Sequence, residues 1–359
     1  MDEKIKRLQN WMNGKKEMPF TLEINPTNRC NLRCAYCWQQ NFHDIDKKDR
    51  LSKEKLLSII EDASELGVKE IRIPGSGEPL IREDLIEIMQ EIKKRNLHGL
   101  LITNGVLLDE EKIKKIIKMQ WDCITFSFDS ADRKINDYFR GEGSFEKLYR
   151  NLLLLRKLKK QNKSEKPLVR FNVVITNKNY RKLQDIIKFA KKVSCEDVEF
   201  QPLTVWSKRA EKFRLSRVHR FFLNKYIPKI KSLADKYKIY TNITDLTKDI
   251  VKNASGEMDK LMFKTANKGP FLDMPCFEPW YNMVILPEGK VNACSMAGPS
   301  LGDNILKKSL AEIWEGEYFT KLRQDLLERR LPEYCKKCCA VIFVENKKIE
   351  DMLGKGKNG

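Results

Sequence analysis

Short apolar runs alternate with amphipathic stretches along much of the chain. The runs at 20–24, 70–73, 99–103, 123–128, 169–175 and 198–201 have the length of strands and are dominated by residue types that are buried on both faces. Between them, 52–66, 83–95, 109–119, 144–160 and 180–193 carry apolar residues three and four apart. In the first of these Leu56, Ile59, Ile60 and Ala63 share a face, with Ser52 as cap and Gly67 as stop. Strand–helix repetition with right-handed crossovers predicts an α/β fold, a partial (β/α)6 barrel of TIM type whose ligands meet the carboxyl ends of the strands. An amphipathic helix over 2–13, with Ile5, Leu8 and Met12 on one face, precedes it. After it, 207–274 turns helical and rich in Lys and aromatics, a bridge to a second module. That module opens with a strand-like run at 281–286, a Pro287-Glu288-Gly289-Lys290 turn and a return over 291–294, which is a β-hairpin pattern. An amphipathic helix over 310–329 follows. The expected division is 1–19, 20–206, 207–274, 275–345 and a Lys-rich tail over 346–359.

Cysteine spacing adds chemistry to this frame. Cys30, Cys34 and Cys37 stand as CX3CX2C directly after the first strand. Three thiolates on one loop make a face, so an iron–sulfur cubane held there keeps one iron without a protein ligand. A zinc site completed by His43 is the competing reading of the same loop. Farther on, Cys276 and Cys294 flank the hairpin, and Cys335-Lys336-Lys337-Cys338 follows the helix. Four thiolates make a closed site, for a cluster or for zinc. Cys339 adjoins Cys338 as an alternative ligand, and Cys123 and Cys195 read as buried thiols.

The CX3CX2C loop, with aromatic Tyr36 before its last cysteine, resembles the signature of the radical S-adenosylmethionine (radical SAM) superfamily. The resemblance implies a 4Fe-4S cluster on Cys30, Cys34 and Cys37 whose open iron is chelated by S-adenosylmethionine. One electron, delivered by a donor such as flavodoxin or ferredoxin, then generates a 5′-deoxyadenosyl radical that takes a hydrogen atom from substrate. The Pro74-Gly75-Ser76-Gly77-Glu78-Pro79 stretch resembles the family's Gly-Gly-Glu-Pro element, with Ser76 replacing the first glycine. Gly77 and Glu78 are thereby assigned to the cofactor's amino group. The same resemblance puts Tyr36 at the cofactor, Ser127 at its carboxylate or ribose and Asp129 in support. Arg170 and Asn172 alternate with apolar residues on the fifth strand and point to one side. Arg170 suits the cofactor's carboxylate, an internal salt bridge being the alternative. Thr103-Asn104-Gly105 reads as a structural turn.

The second cysteine set resembles the SPASM module and its shortened form, twitch, including Gly289 in a GX4C pattern. With no cysteine after Cys339, the expectation is one auxiliary 4Fe-4S cluster on Cys276, Cys294, Cys335 and Cys338, two clusters in all. The implied reaction is oxidation of a substrate radical through that cluster, on a small alcohol or sugar-like molecule. The alternative is a peptide or protein maturase that oxidises or cross-links a side chain. Ser295 stands where sulfatase-type maturases carry a catalytic Asp. Asp273, close in sequence to Cys276, is the candidate base.

Composition narrows the setting. A net charge of +19 admits a polyanionic partner, but the excess Lys lies in helical stretches such as 112–118 and 157–160, which form solvated faces. A zinc-containing RNA-binding module, using His43 and the second cysteine set, is therefore the lesser reading, from outside enzymology. Ten cysteines without a secretion-type start, and no apolar run of bilayer length, predict a cytoplasmic protein with metal-ligating thiols and no membrane contact.

Overall fold

The computed structural model describes residues 2–41, 45–246, 251–252, 259–262, 270–297 and 302–355. Six strands, β1 (Thr21–Ile24), β2 (Glu70–Ile73), β3 (His98–Thr103), β4 (Cys123–Ser127), β5 (Leu168–Ile175) and β6 (Asp197–Pro202), pair in parallel, each with the next. The expected crossover helices lie between them: Lys53–Glu65, Leu85–Lys94, Glu110–Lys118, Ser144–Gln161 and Leu183–Val193. Ser52 caps the first, its side chain accepting from the Lys55 amide, and Leu56, Ile59, Ile60 and Ala63 are buried. One further helix, Arg133–Arg140, follows β4 and was not foreseen, although its Asp132 cap and its Ile135/Phe139 spacing are local signals.

Alternation along each strand sorts the side chains. In β5, Val169, Phe171, Val173 and Ile175 are buried toward the helices, whereas Arg170 and Asn172 face the other way. That inner face is charged. Arg72 lies 2.6 Å from Glu70 and 3.8 Å from Glu23, and Arg170 lies 2.7 Å from Asp197. Charges removed from water require partners, and here they are supplied within β2 for Arg72 and Glu70 and by neighbouring strands for the rest.

Four departures from the expected layout concern the second half of the chain. Residues Tyr240–Thr241, inside the expected helical bridge, form a strand, β7, that pairs in parallel with β6. The hairpin is present as β8 (Asn282–Ile285) and antiparallel β9 (Val291–Asn292), but β8 also pairs in parallel with β1. One nine-stranded sheet results, in the order β7-β6-β5-β4-β3-β2-β1-β8-β9. The boundary expected at 345/346 falls inside one helix, Ala340–Lys355, that packs against β6 and the N-terminal helix Asp2–Met12. Glu345 on it meets Lys4 at 2.6 Å. Buried Ile349 and Leu353 explain why the Lys-rich segment is not a free tail; residues 356–359 lie outside the described residues. The helix expected over 310–329 is broken into Leu310–Trp314 and Glu317–Leu327, with Gly316 capping the second. No helix among the described residues is long and apolar enough to cross a membrane.

At the amino end of the barrel, Asp122 ties three strands together. It accepts from the Gly99 amide at 2.9 Å and from Lys166 at 2.5 Å, and it also pairs with Lys93. Burial pushes its carboxyl up, but these donors outweigh burial and hold it below the usual range. The stabilisation is therefore complete above the unfolded value of about 4 and is lost as pH falls through the lower folded value. Asp122→Asn is expected to cost about 1–3 kcal/mol at pH 7. Urea midpoints of the two proteins should converge at acidic pH; an equal gap at both pH values would contradict the assignment.

Candidate active site

At the carboxyl end of β1 the chain enters the cysteine loop, and the loop after β2 is laid along it by backbone pairing. The Gly77 amide donates to the Thr27 carbonyl at 3.0 Å, and the Glu78 amide to Arg29 at 2.8 Å. A Cβ on Gly77 would stand 2.1 Å from the Arg29 oxygen, so this approach admits only glycine. Gln39 closes the other end, its amide donating to the carbonyls of Asn28 at 3.0 Å and Ser76 at 2.8 Å. Ser76, in place of glycine, donates to Asn25 at 3.3 Å.

Glu78 joins this pair of loops to β3. Its carboxylate accepts from the Thr103 hydroxyl at 2.6 Å and from the amides of Asn104 at 2.7 Å and Leu80 at 3.1 Å. Burial raises its pKa against those hydrogen bonds. Asn104 in turn donates to Asn31 at 2.8 Å, inside the cysteine loop. The Thr103-Asn104-Gly105 turn, expected to be only structural, thus braces the site and lines its cavity.

A second brace comes from the helix Arg133–Arg140. Tyr36 donates to Asp129 at 2.6 Å, Arg140 stands 2.8 Å from the same carboxylate oxygen, and Arg140 donates to the Tyr36 hydroxyl at 3.2 Å. Asp129 is completely buried. Burial opposes the charge of Arg140, but Asp129 and Tyr36 more than offset it and hold the guanidinium above its usual range. The Ala35 amide donates to Phe139 at 2.8 Å, and the Tyr36 and Phe139 rings lie 5.5 Å apart.

These braces surround one cavity of about 330 Å³. Cys30, Cys34 and Cys37 line one wall, with Tyr36, Gly77, Glu78, Ser127, Asn172 and Arg140 around it. Arg170 does not reach it. It sits beside its cross-strand neighbour Asp197 and pairs with it, one pleat repeat below Asn172, so the internal salt bridge is what the fold contains. Arg140, which no sequence pattern singled out, is the arginine at the cavity. Asp129 lies behind Tyr36 rather than on the wall, and Asp273 is not among the lining residues.

Met296 and Cys339 supply lining from the C-terminal module. Cys339 lies 3.6 Å from the Gln201 side-chain oxygen, and Gln201 donates to Asn172 at 2.7 Å. The thiols of Cys276, Cys294, Cys335 and Cys338 share a different neighbourhood. Burial raises Cys276, Cys294 and Cys338 first, and the Glu278 carboxylate and the nearby thiols raise them further. Burial likewise pushes Cys34 in the N-terminal loop up to about 12. Both donor sets fit iron–sulfur ligation: a three-thiol face open to a cavity, and a four-thiol group closed off from it. Loading either set displaces protons that burial otherwise holds on sulfur. Among the described residues no three Cys, His, Asp or Glu side chains converge on a position for a single metal ion. His43, the fourth ligand of the zinc reading, lies outside the described residues.

Residues 24–190 match the radical SAM superfamily, and residues 276–339 match the iron–sulfur cluster-binding domain SPASM. The chain is a radical SAM enzyme. The SPASM domain is its C-terminal module, and the zinc-containing RNA-binding reading is set aside. The enzyme is 24% identical over 341 residues to the tungsten-containing aldehyde ferredoxin oxidoreductase cofactor-modifying protein of Pyrococcus furiosus, across 84% of this chain and 82% of that one. Its fold resembles Streptococcus suis SuiB bound to precursor peptide SuiA, with a TM-score of 0.66, 16% identity and coverage of 88% and 69%. It also resembles anSMEcpe with bound AdoMet, with a TM-score of 0.63, 18% identity and 94% of each chain covered.

Gly77→Ala is expected to push the cysteine loop away from the loop after β2. Release of 5′-deoxyadenosine from S-adenosylmethionine under dithionite should fall on the order of 10²-fold, the scale of a misplacement of about 1 Å. Iron bound by the SPASM cysteines should be retained. Chromatographic assay of the product, with iron analysis alongside, checks both.

Proposed function

We propose that this radical SAM enzyme performs a net two-electron oxidation of a side chain presented on a peptide or protein, in the cavity between its two cysteine sets. The observation that carries this reading is that one cavity is walled by Cys30, Cys34 and Cys37 on one side and by Cys339, next to Cys338, on another. When bound, the first cluster with S-adenosylmethionine supplies hydrogen-atom abstraction, and the auxiliary cluster supplies an acceptor for the second electron. The chain's own residues hold and orient. Backbone groups around Gly77, the Ser127 hydroxyl and the Asn172 amide offer hydrogen bonds to the cofactor's polar groups. The Tyr36–Asp129–Arg140 group fixes the far end of the cysteine loop, so that its thiols need not reorganise on loading. Trp38, Leu203, Trp206 and Met296 give the cavity apolar walls that accept a side chain and displace water.

A peptide substrate is supported by the fold shared with SuiB, solved with a precursor peptide, and with anSMEcpe, solved with peptides. A small alcohol or sugar is the second reading, favoured by an auxiliary set of four cysteines, Cys276, Cys294, Cys335 and Cys338. Deuterium transfer into 5′-deoxyadenosine separates the two: label should come from side-chain-deuterated peptides and not from deuterated polyols. The reverse result would select the second reading.

Cys294→Ala is expected to remove about four of about eight irons per chain. Cleavage of S-adenosylmethionine should continue, uncoupled, while oxidised product disappears. Oxidised product formed at the normal rate would exclude the SPASM site as electron acceptor.

A further inference from the structure

A second cavity, of about 470 Å³, lies away from the active site and shares no lining residue with it. Trp11 of the N-terminal helix, Phe271, Trp280, Trp314, Arg323 and Leu327 form its apolar and cationic walls. Arg323 is 8% exposed. Its Nε donates to the Pro279 carbonyl at 2.9 Å and its Nη1 to the Trp314 carbonyl at 3.0 Å. Its Nη2 is buried and finds no hydrogen-bond partner among the described residues, and the same is true of the Trp11 indole N–H. The guanidinium is stacked 4.3 Å from the Trp314 ring and 5.0 Å from Trp11. Stacking satisfies the faces of the cation but leaves its Nη2 hydrogens without an acceptor.

The charge of Arg323 is equally exposed to question. Arg323 forms no ion pair among the described residues, although Glu315 attracts it from farther away. Burial without an adjacent anion pulls its pKa down to about 10. The other carboxylate on the wall, Glu17, accepts from Asn10 at 2.5 Å. A buried cation and a buried N–H, both on side chains lining an aromatic cavity, lack the same thing, an acceptor that carries negative charge.

We propose that this cavity binds a small aryl carboxylate, its carboxylate accepting from Arg323 and the Trp11 indole and its flat body lying among Trp280, Trp314 and Phe271. A planar anion answers both unpaired donors at once, and the aromatic walls explain why the ligand is more than an inorganic ion. The same guanidinium holds the carbonyl of Pro279, three residues after Cys276, so the site touches the loop that carries the first SPASM cysteine.

The test is titration of the full-length, anaerobically cluster-loaded enzyme with phenylacetate, followed by intrinsic tryptophan fluorescence, since Trp11, Trp280 and Trp314 all line the cavity. Saturable quenching is expected with a dissociation constant of about 1 mM or tighter. Phenylacetamide should bind about tenfold or more weakly, because a neutral amide forfeits the charge-assisted hydrogen bond. Trp11→Phe keeps an aromatic ring on the wall while removing the N–H and the five-membered ring that bears it, and should weaken phenylacetate severalfold. Arg323→Met should abolish the preference for phenylacetate over its amide; if that variant fails to fold, Trp11→Phe carries the test. No saturable response, equal binding of acid and amide, or unchanged binding by Trp11→Phe would each overturn the proposal.

Discussion

The parallel pairing of β8 with β1 sets the geometry on which the active site depends. In register, Leu22 faces Met283 and Ile24 faces Ile285, and the Asn25 amide continues the ladder with 2.9 Å to the Ile285 carbonyl. One strand of this pair leads directly into the CX3CX2C loop. The other turns through β9 into Cys294. The two cysteine sets are therefore suspended from neighbouring strands of one sheet, held by backbone hydrogen bonds rather than by a flexible connection between domains. Electron exchange between two sites falls steeply with separation, and a shared sheet fixes that separation.

Around this pair the site is built by close backbone approach. Gly77 lets the loop after β2 lie against the cysteine loop, Glu78 carries the connection on to β3, and Asn104 returns it to Asn31. The opposite end is held by one buried ion pair with a tyrosine, Arg140–Asp129–Tyr36. These contacts constrain main chain and leave the thiols free to face the cavity. A loop that must bind a metal cluster without closing over it needs this kind of support from outside.

The inner face of the barrel is charged, and the C-terminal helix adds one more charged group to it. Glu23, Glu70, Arg72, Arg170, Asp197 and Glu199 lie where a closed TIM barrel would pack branched aliphatics. Arg72 pairs with Glu70 on its own strand and with Glu23 across from it, Arg170 pairs with Asp197 on the next strand, and Glu345 brings a further carboxylate toward Arg72 while it pairs with Lys4. The N- and C-terminal helices thus meet each other over this face, which couples the two ends of the chain to the barrel.

The sequence by itself determined the six strand–helix units, because burial on one helix stripe and on both strand faces writes a local period into the chain. It determined the chemistry of the first site for the same local reason: three cysteines and a tyrosine within eight residues need no distant partner to be read. Tertiary structure alone decided which distant groups meet. Strand β8 joins β1 across some 260 residues, with no periodic trace of the choice. Arg170 and Arg140 are chemically equivalent letters; only the register of β5 on β6 gives the first to Asp197, and only the placement of the helix after β4 brings the second to Asp129 and Tyr36. Cys338 and Cys339 likewise differ by one position in sequence, and the turn that begins the last helix sends one thiol among the SPASM cysteines and the other into the active-site cavity.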